Sequence, residues 1–187
     1  VGRLISIPLD RKPDLNRLYL RRGRLPLATH PEEVLVSEAF ATVHNLVPGE
    51  HLEALINAKL WQLKIVGIAL SPEYVYQLRG LGSWPDDRRF GVLWAGRDMM
   101  EAAFDMESSF NNLAVELQRH AVVKDVLSAI DTELELYGSL GAYTRQEQAS
   151  DRMLSDELAQ LRMQGTFAPM IFLGVAAFLL HLVLSRL

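Results

Sequence analysis

Short apolar runs separated by proline, glycine and charged residues make up much of the first seventy residues, a pattern typical of β-strands joined by loops. Residues 4–8 predict a short strand, and residues 33–36 predict a compact apolar strand. Ser37 then stands where a helix N-cap is expected, and we expect the helix 37–45 to bury one stripe, formed by Ala39, Phe40 and Val43. This region is therefore predicted to be a strand followed by a helix.

Alternating apolar residues next predict a β-hairpin after residue 50. The turn is expected at residues 57–59, with two sets of apolar side chains facing one another across it: Leu52, Ala54 and Ile56 on one side, and Leu60, Leu63 and Ile65 on the other. Residues 65–70 are apolar enough for a central strand, which Ser71 and Pro72 end.

The second half of the folded region shows a different order of patterns. Residues 79–89 are rich in glycine, proline and aspartate and predict a loop. Four further elements are predicted after it, in the order strand, helix, strand, helix, at residues 90–95, 97–105, 111–117 and 121–137, and residues 142–144 are a candidate for a further short strand. Such an alternation is typical of a split βαβ layer with helices on one face of the sheet, so the predicted fold class is α+β.

The last forty residues predict one long helix in two parts. Residues 146–166 are polar except for a single apolar stripe formed by Leu154, Leu158 and Leu161. Residues 167–187 are almost wholly apolar, and at about 1.5 Å of rise per residue roughly 20 of them cross the ~30 Å hydrocarbon core of a bilayer. We therefore predict a stalk that runs into a membrane span, with a break or kink near Gly165 and Pro169.

Apolar side chains of the predicted span cover every side of the helix, which a helix of a soluble domain seldom shows. The residues that we expect in contact with membrane lipid include Phe172, Leu173, Val175, Phe178 and Leu179. His181 and Arg186 are the only ionisable side chains of the run, and both lie near its end, where they can reach the interface.

Charge is distributed unevenly along the 187 residues, whose net charge is -4. Residues 1–24 hold seven basic and two acidic side chains, so a local charge of +5 leaves -9 for the remainder. The basic segment is either a solvated loop face or a surface that attracts anionic lipid. No series of aromatic residues alternates with the arginines, so we do not expect a nucleic-acid partner. Because the chain has no cysteine, disulfides, thiol nucleophiles and zinc-thiolate sites are excluded.

Residues that carry chemistry do not form a recognisable catalytic or metal-binding pattern. The five histidines lack the short helical spacing of metal ligands, and the single G-x-G at residues 80–82 is followed by neither a third glycine nor a helix. We expect no enzymatic activity, no metal and no cofactor. Three aromatic residues, Trp84, Tyr74 and Tyr76, are the candidates for a contact surface.

Several segments, in this order and spacing, resemble one family. They read EVLVSEAFA at 33–41, LVPGE at 46–50, IVGIALSPEYVY at 65–76 and PMIFLGVAAF at 169–178, the last followed by Ser185 and Arg186. Together they are similar to the extracytoplasmic core and second transmembrane helix of FtsX-like, or MacB-type, ABC transporter permeases. The resemblance implies an extracytoplasmic core at 1–145 with an inserted β-rich lobe at roughly 30–78, a stalk at 146–166 and a transmembrane helix at 167–187.

The same resemblance implies the biological setting. It places the folded domain outside the inner, or plasma, membrane, and it implies a separate ABC ATPase subunit and a second permease subunit as partners. The outer domain would couple ATP-driven motion to export or extraction of a lipid, lipoprotein or other substrate. Since Val1 is not an initiator methionine, we expect the chain to be part of a longer reading frame. The alternative is a membrane-tethered extracytoplasmic sensor or binding module without an ATPase.

Overall fold

A computed structural model describes residues 1–11, 13, 15–79 and 84–186, and it has a mixed α+β fold. The G-x-G at residues 80–82 lies outside the described residues. Six strands and four α-helices follow one another: β1 Gly2–Ile7, β2 Tyr19–Gly23, β3 Glu33–Ser37, α1 Glu38–His44, β4 His51–Ile56, β5 Lys59–Leu70, β6 Gly91–Gly96, α2 Arg97–Phe104, α3 Val123–Leu134 and α4 Ala149–Leu184. The predicted α+β fold class is thus confirmed, whereas the division into two lobes stays a prediction.

All six strands belong to one mixed sheet, in the order β1-β6-β3-β5-β2, and β4 also pairs with β5. β1 runs parallel to β6, and β3 runs parallel to β5, whereas β6 and β3 are antiparallel. The strands of the predicted inserted lobe, β3 to β5, therefore share hydrogen bonds with the same sheet as β1 and β6.

Two apolar clusters bury the two faces of this sheet. One contains Val34, Ile65 and Leu93 and is completed by residues of α1 and α2, such as Ala41 and Met99. The other contains Leu35, Val92 and Trp94, against which the partly buried Leu18, Leu20 and Tyr74 pack. Every residue of β3 and of β6 is buried, which explains why their central residues, 34–36 and 92–95, read as continuous apolar runs rather than as an alternation.

A β-bulge in β5 changes the face on which its side chains lie. Ile65 pairs with Val34, but the next residue of β3, Leu35, pairs with Gly67, so one residue of β5 is extra. Gly67 lies opposite Gly23 of β2. A Cβ added to Gly67 would come within 2.6 Å of the Arg24 carbonyl oxygen, so the close approach of the two strands requires glycine there.

The hairpin of β4 and β5 forms as predicted, but with a shorter turn. Asn57 and Ala58 both have positive φ angles, 47° and 61°, which is typical of a two-residue type I′ turn. Leu60 consequently pairs with Leu55, and both are exposed, so the prediction that Leu60 faces the set Leu52, Ala54 and Ile56 is wrong, whereas Leu63 lies opposite Leu52 as predicted. Trp61, which lies opposite Ala54, packs against the core instead.

Helix α1 follows Ser37 and ends at His44, within one residue of the predicted bounds. Its fully buried residue is Ala41, whereas Val43 of the predicted stripe is exposed. Asn45 ends the helix in the left-handed conformation, which asparagine adopts at less cost than most residues.

Two predicted strands are absent. Residues 111–117 and 142–144 form no strand, and all residues from 111 to 120 are exposed. Helix α3 begins and ends within the predicted range 121–137 and is followed by a 3₁₀ turn, Glu135–Tyr137, but none of its residues is buried. The region between α2 and α4 therefore contributes little to the core.

Helix α4 continues without interruption for 36 residues. Pro169 lies inside it, so of the break or kink predicted near Gly165 and Pro169 the break does not occur, and the kink stays a prediction. In the described part of the chain, α4 is the one helix that is long and apolar enough to cross a membrane. None of the residues in its most apolar stretch is buried. The helix thus satisfies the length and composition required of a membrane anchor.

Candidate functional site

The first turns of α4 are fixed to the sheet domain by the segment 73–77, which follows β5. The backbone N–H of Tyr76 donates to Ser150 Oγ at 2.9 Å, and Ser150 is buried. Gln148 Nε2, immediately before the helix, donates to the backbone oxygen of Glu73 at 2.9 Å. We call residues 73–77 together with 148–157 the junction, because they join the sheet domain to the helix.

A second contact lies further along the helix. The Tyr76 hydroxyl donates to Glu157 Oε2, and this hydrogen bond raises the pKa of Tyr76. Ser150 and Glu157 are seven residues apart, which is about two helical turns, so they lie on the same face of α4. Contacts at two heights on one face fix the direction of a helix as well as its position.

The chain that leads into α4 is itself ordered by hydrogen bonds. Thr144 and Glu147 form a capping box around the 3₁₀ turn Arg145–Glu147, and the hydrogen bonds from Thr144 lower the pKa of Glu147. Arg145 Nε lies 3.3 Å from Asp151 Oδ1 in the first turn of the helix. Since acidic residues are favourable at a helix N-terminus, Asp151 also suits the helix dipole there.

The other side of the junction is held by residues distant in sequence. Burial raises the pKa of Glu73, whose Oε2 accepts a 3.0 Å hydrogen bond from Asn16 Nδ2. Burial also raises the pKa of Tyr74, whose hydroxyl accepts from Arg3 Nη1 at 3.4 Å. The Arg3 guanidinium lies 5.8 Å from the centre of the Tyr74 ring. The segment 73–77 is thus joined to β1 as well as to α4.

A buried polar network continues from the junction into the centre of the sheet. Ser37 Oγ donates to Gln77 Oε1 at 2.9 Å and accepts from the backbone N–H of Val92 at 3.4 Å. Ser37 and Gln77 are both buried. Because a buried polar group without a partner is costly, this network favours one position of Gln77 relative to β3 and β6.

The predicted stalk stripe leaves the sheet domain after its first residue. Leu154 is half-buried, whereas Leu158 and Leu161 are 50% and 62% exposed. The five predicted lipid contacts are exposed too, as expected of side chains that require an apolar environment outside the chain: Phe172, Leu173, Val175, Phe178 and Leu179. Unlike Leu154, these five residues are not covered by any other part of the described chain.

The three aromatic candidates for a contact surface are in different situations. Tyr74 and Tyr76 are half-buried and bind within the chain, to Arg3 and Glu157. Trp84 is 83% exposed and lines a hollow of about 170 Å³ together with Gln77, Arg79, Asp86, Arg89 and Phe90. Of the three, Trp84 alone is available to an external partner in the described structure.

Two arginines of the basic N-terminal segment have acidic partners. Arg21 Nε lies 2.8 Å from Glu38 Oε1, and the Arg24 guanidinium pairs with the buried carboxylate of Glu33. The hydrogen bonds from Arg24 outweigh burial and lower the pKa of Glu33, which also accepts from the Leu27 N–H at 3.1 Å. Arg24 thus pairs with the first residue of β3, and Arg21 pairs with the first residue of α1.

The described residues contain no group of three or more histidine, aspartate or glutamate side chains placed to hold a metal ion. In the junction, a tyrosine, a serine and carboxylates lie together, but they are hydrogen-bonding partners of one another. What this arrangement can do is hold a long helix in a fixed direction relative to a sheet.

Sequence reasoning did not identify Ser150, Gln148 and Glu157. Their partners lie 74, 75 and 81 residues away in the chain, and each is an ordinary polar residue near the start of a helix. Their spacing along α4 gives no signal by itself.

No family model matches the chain, and no curated protein matches it at a significant level.

Proposed function

We propose that this chain is part of a permease subunit of an ABC transporter, in which the sheet domain couples ATP-driven motion to export or extraction of a lipid, lipoprotein or other substrate. The support for this proposal is the resemblance of four sequence segments to FtsX-like, or MacB-type, permeases, together with the manner in which α4 is attached to the sheet domain.

One observation carries the mechanical part of the proposal. Helix α4 is continuous from the junction to Leu184, so no flexible linker separates the sheet domain from the span. A rigid helix passes on a displacement of one end to the other, whereas a flexible linker would dissipate it. The contacts of Tyr76 at Ser150 and at Glu157 provide the fixed attachment that such transmission requires.

In this mechanism a separate ATPase subunit closes and opens on the cytoplasmic side and moves the span. The span moves α4, and α4 turns the sheet domain relative to that of a second permease subunit. We propose that the sheet domain lies on the extracytoplasmic side of the inner membrane, with Arg186 at the cytoplasmic end of the helix in agreement with the positive-inside tendency. The division of the domain into two lobes, with residues 30–78 as the inserted lobe, belongs to the same proposal.

Replacing Leu154 and Leu158 by aspartate in the complete complex tests the role of the stalk. The two residues lie on one stripe, so the charges disrupt its packing, and we expect ATP hydrolysis to continue while export falls at least tenfold. The matched control is Ser155→Asp with Gln160→Asp, two exposed positions off the stripe, for which we expect normal export. Export at the normal rate in the Leu154 and Leu158 variant would remove the support for a coupling stalk.

A second experiment tests the partner. The complete protein is purified from membranes in detergent, and ATP hydrolysis is measured in the purified complex and after the stalk variant is introduced. We expect an ATP-hydrolysing subunit in stoichiometric amount. A complex that contains the full reading frame but hydrolyses no ATP would contradict the permease proposal.

The exposed hollow beside Trp84 favours the alternative, a tethered sensor or binding module. An accessible tryptophan bordered by Arg79, Arg89 and Asp86 offers a contact point for an external ligand. Reading the complete open reading frame separates the two functions, because further spans and a cytoplasmic contact for an ATPase indicate the permease. A polar or kinase-like tail would indicate the sensor.

A further inference from the structure

The segment 111–117 has the sequence of a strand but no strand partner. Its apolar residues Leu113, Val115 and Leu117 alternate with Asn112, Ala114 and Glu116, which is the period of a half-buried strand. Leu113 and Val115 are more than half exposed. No backbone group of the segment is hydrogen-bonded to another described residue. An exposed apolar segment of this kind is unfavourable in water unless something covers it.

The sheet, in turn, has edges without a further strand, and β1 is the regular one, because β2 at the other end of the sheet order is interrupted by a β-bulge. β1 stands at the end of the sheet order and pairs with β6 on one side. In the part of the chain that the structure describes, no strand pairs with its other side. The backbone N–H and C=O groups on that side are therefore free to accept a further strand.

We propose that residues 111–117 of one copy of the chain pair with β1 of a second copy, antiparallel and reciprocally, so that each copy supplies the missing strand of the other. The register that sets Glu116 opposite Arg3 joins the one charged residue of each strand. It also sets Val115 opposite Leu4, which packs against the apolar cluster covered by α1 and α2. Leu113 and Leu117 then lie on that same face, and Ala114 lies opposite Ile5.

Two observations favour a second copy over the same chain. The single chain contains both the free segment and the free edge, and it leaves both unpaired. The C-terminal anchor, in addition, holds copies in one membrane with the same orientation, which raises their effective concentration and suits a two-fold axis along the membrane normal. The inference rests on the anchor and not on the proposed ATPase, although a pair of such copies is also what the proposed function requires.

The absence of cysteine allows a direct test in the full chain. We introduce Leu4→Cys together with Val115→Cys and oxidise the protein in membranes. Opposite residues of antiparallel strands have Cα atoms about 4.5–5.5 Å apart, within the range that a disulfide bridges. We expect a covalent dimer on a non-reducing gel. The control pair is Leu55→Cys with Val115→Cys, since Leu55 is an exposed residue of β4 outside the proposed contact, and we expect it to remain monomeric.

Each other result overturns the proposal. A disulfide confined to one chain, recognised because the monomer band persists while its proteolytic fragments stay linked, would show that the strand closes its own sheet. Equal dimer formation by the control pair would show random collision. Absence of any disulfide, in a protein whose tryptophan fluorescence is that of the folded parent, would exclude the contact.

A second variant tests the proposed hydrogen bonds between the two strands without introducing cysteine. The Val1 oxygen accepts from the Gly91 N–H, so Gly2, Leu4 and Ser6 aim their backbone groups at the free side of β1, and in the proposed register Leu113 donates to Ser6. Leu113→Pro removes this donor from an exposed segment, so the fold is expected to persist while dimerisation in detergent weakens at least tenfold. The control Leu140→Pro alters an exposed position outside the contact and is expected to leave the dimer unchanged. Equal dimerisation of the Leu113→Pro variant and the parent, measured by sedimentation, would contradict the pairing. The two experiments read association alone, so their outcome is independent of ATP hydrolysis and export.

Discussion

The centre of β3 and the second half of α4 are both apolar, yet the chain buries the first and leaves the second exposed. Every residue of β3 is buried by strands and helices of the same chain. In α4 the apolar window has no buried residue at all. Apolar composition alone thus indicates only that a segment must be kept from water. The length of the apolar run and its surroundings indicate whether protein or lipid covers it.

The junction is the point at which these two solutions meet. On its sheet side, contacts are buried and polar, as between Ser37 and Gln77. On its helix side, exposure rises from Leu154 to Leu158 and Leu161. Substitutions on the two sides are therefore expected to have separable effects, on folding in one case and on membrane association in the other.

The largest expected effect is on the span. Val175→Arg together with Phe178→Arg places two charges near its middle, at a cost of about 5–7 kcal/mol if each contributes about 2.5–3.5 kcal/mol. We expect the protein to move from the membrane to the aqueous fraction, while unfolding of the sheet domain stays unchanged. Ser185→Arg, at the end of the helix, is the control, because an arginine there reaches the interface. A variant that still sediments with membranes would contradict the assignment of the span.

The next largest effect is in the core. Leu35 is fully buried and lies opposite Trp94, so Leu35→Ala is expected to destabilise the sheet domain by about 2–5 kcal/mol. Urea unfolding followed by tryptophan fluorescence measures the change. The control Leu180→Ala removes the same atoms from an exposed position of α4 and is expected to leave the unfolding midpoint unaltered. Equal destabilisation by both variants would contradict the division into protein-covered and lipid-covered regions.

A matched pair of glycines gives a smaller effect of the same kind. Gly67→Ala forces a Cβ against the Arg24 carbonyl oxygen, and we expect a loss of about 1–3 kcal/mol in the free energy of unfolding. At Gly174 of α4 an added Cβ meets no atom within 4 Å, so Gly174→Ala is expected to be neutral or slightly stabilising. If chemical unfolding finds Gly67→Ala neutral, the close approach of β2 and β5 is not required.

The smallest effect concerns pH. The pKa of Glu33 is lowered in the folded state, chiefly by Arg24, so its carboxylate contributes stability above the unfolded pKa of about 4.3. That contribution is lost as the pH falls from this value through the folded pKa. We expect the unfolding midpoint to fall between pH 5 and pH 3, and to fall less in Glu33→Gln. The apolar run of α4 contains no carboxylate, so membrane association is expected to stay constant over the same range.

Much of the local structure is predictable from the sequence because it depends on neighbouring residues. The apolar run of β3, the helix after Ser37 and the long C-terminal helix all have boundaries within a few residues of those expected. β2 was not predicted, because this strand at the end of the sheet order carries two arginines and ends in glycine. Leu60 pairs with Leu55 and not with the predicted set Leu52, Ala54 and Ile56, because a turn of two residues instead of three shifts the pairing by one.

What depends on distant residues was not predictable. The alternation at residues 111–117 is that of a strand, but a strand needs a partner, and the sequence does not state whether the chain provides one. The partners of Tyr76 at Ser150 and Glu157 follow from the position of α4 on the sheet domain, for which the sequence gives no local signal. The candidate site of this molecule consists almost wholly of such contacts.

In the proposed membrane-bound arrangement, the attachment of α4 limits the clearance between the sheet domain and the bilayer. Among the described residues, the last hydrogen bond from α4 to that domain is at Glu157, and the apolar run begins at Phe167. Ten residues of helix rise about 15 Å, and any tilt shortens this height. A lipid headgroup or an extended peptide has headroom in such a gap, whereas a folded protein does not. In the permease that we propose, bulky cargo would therefore have to approach from the flank.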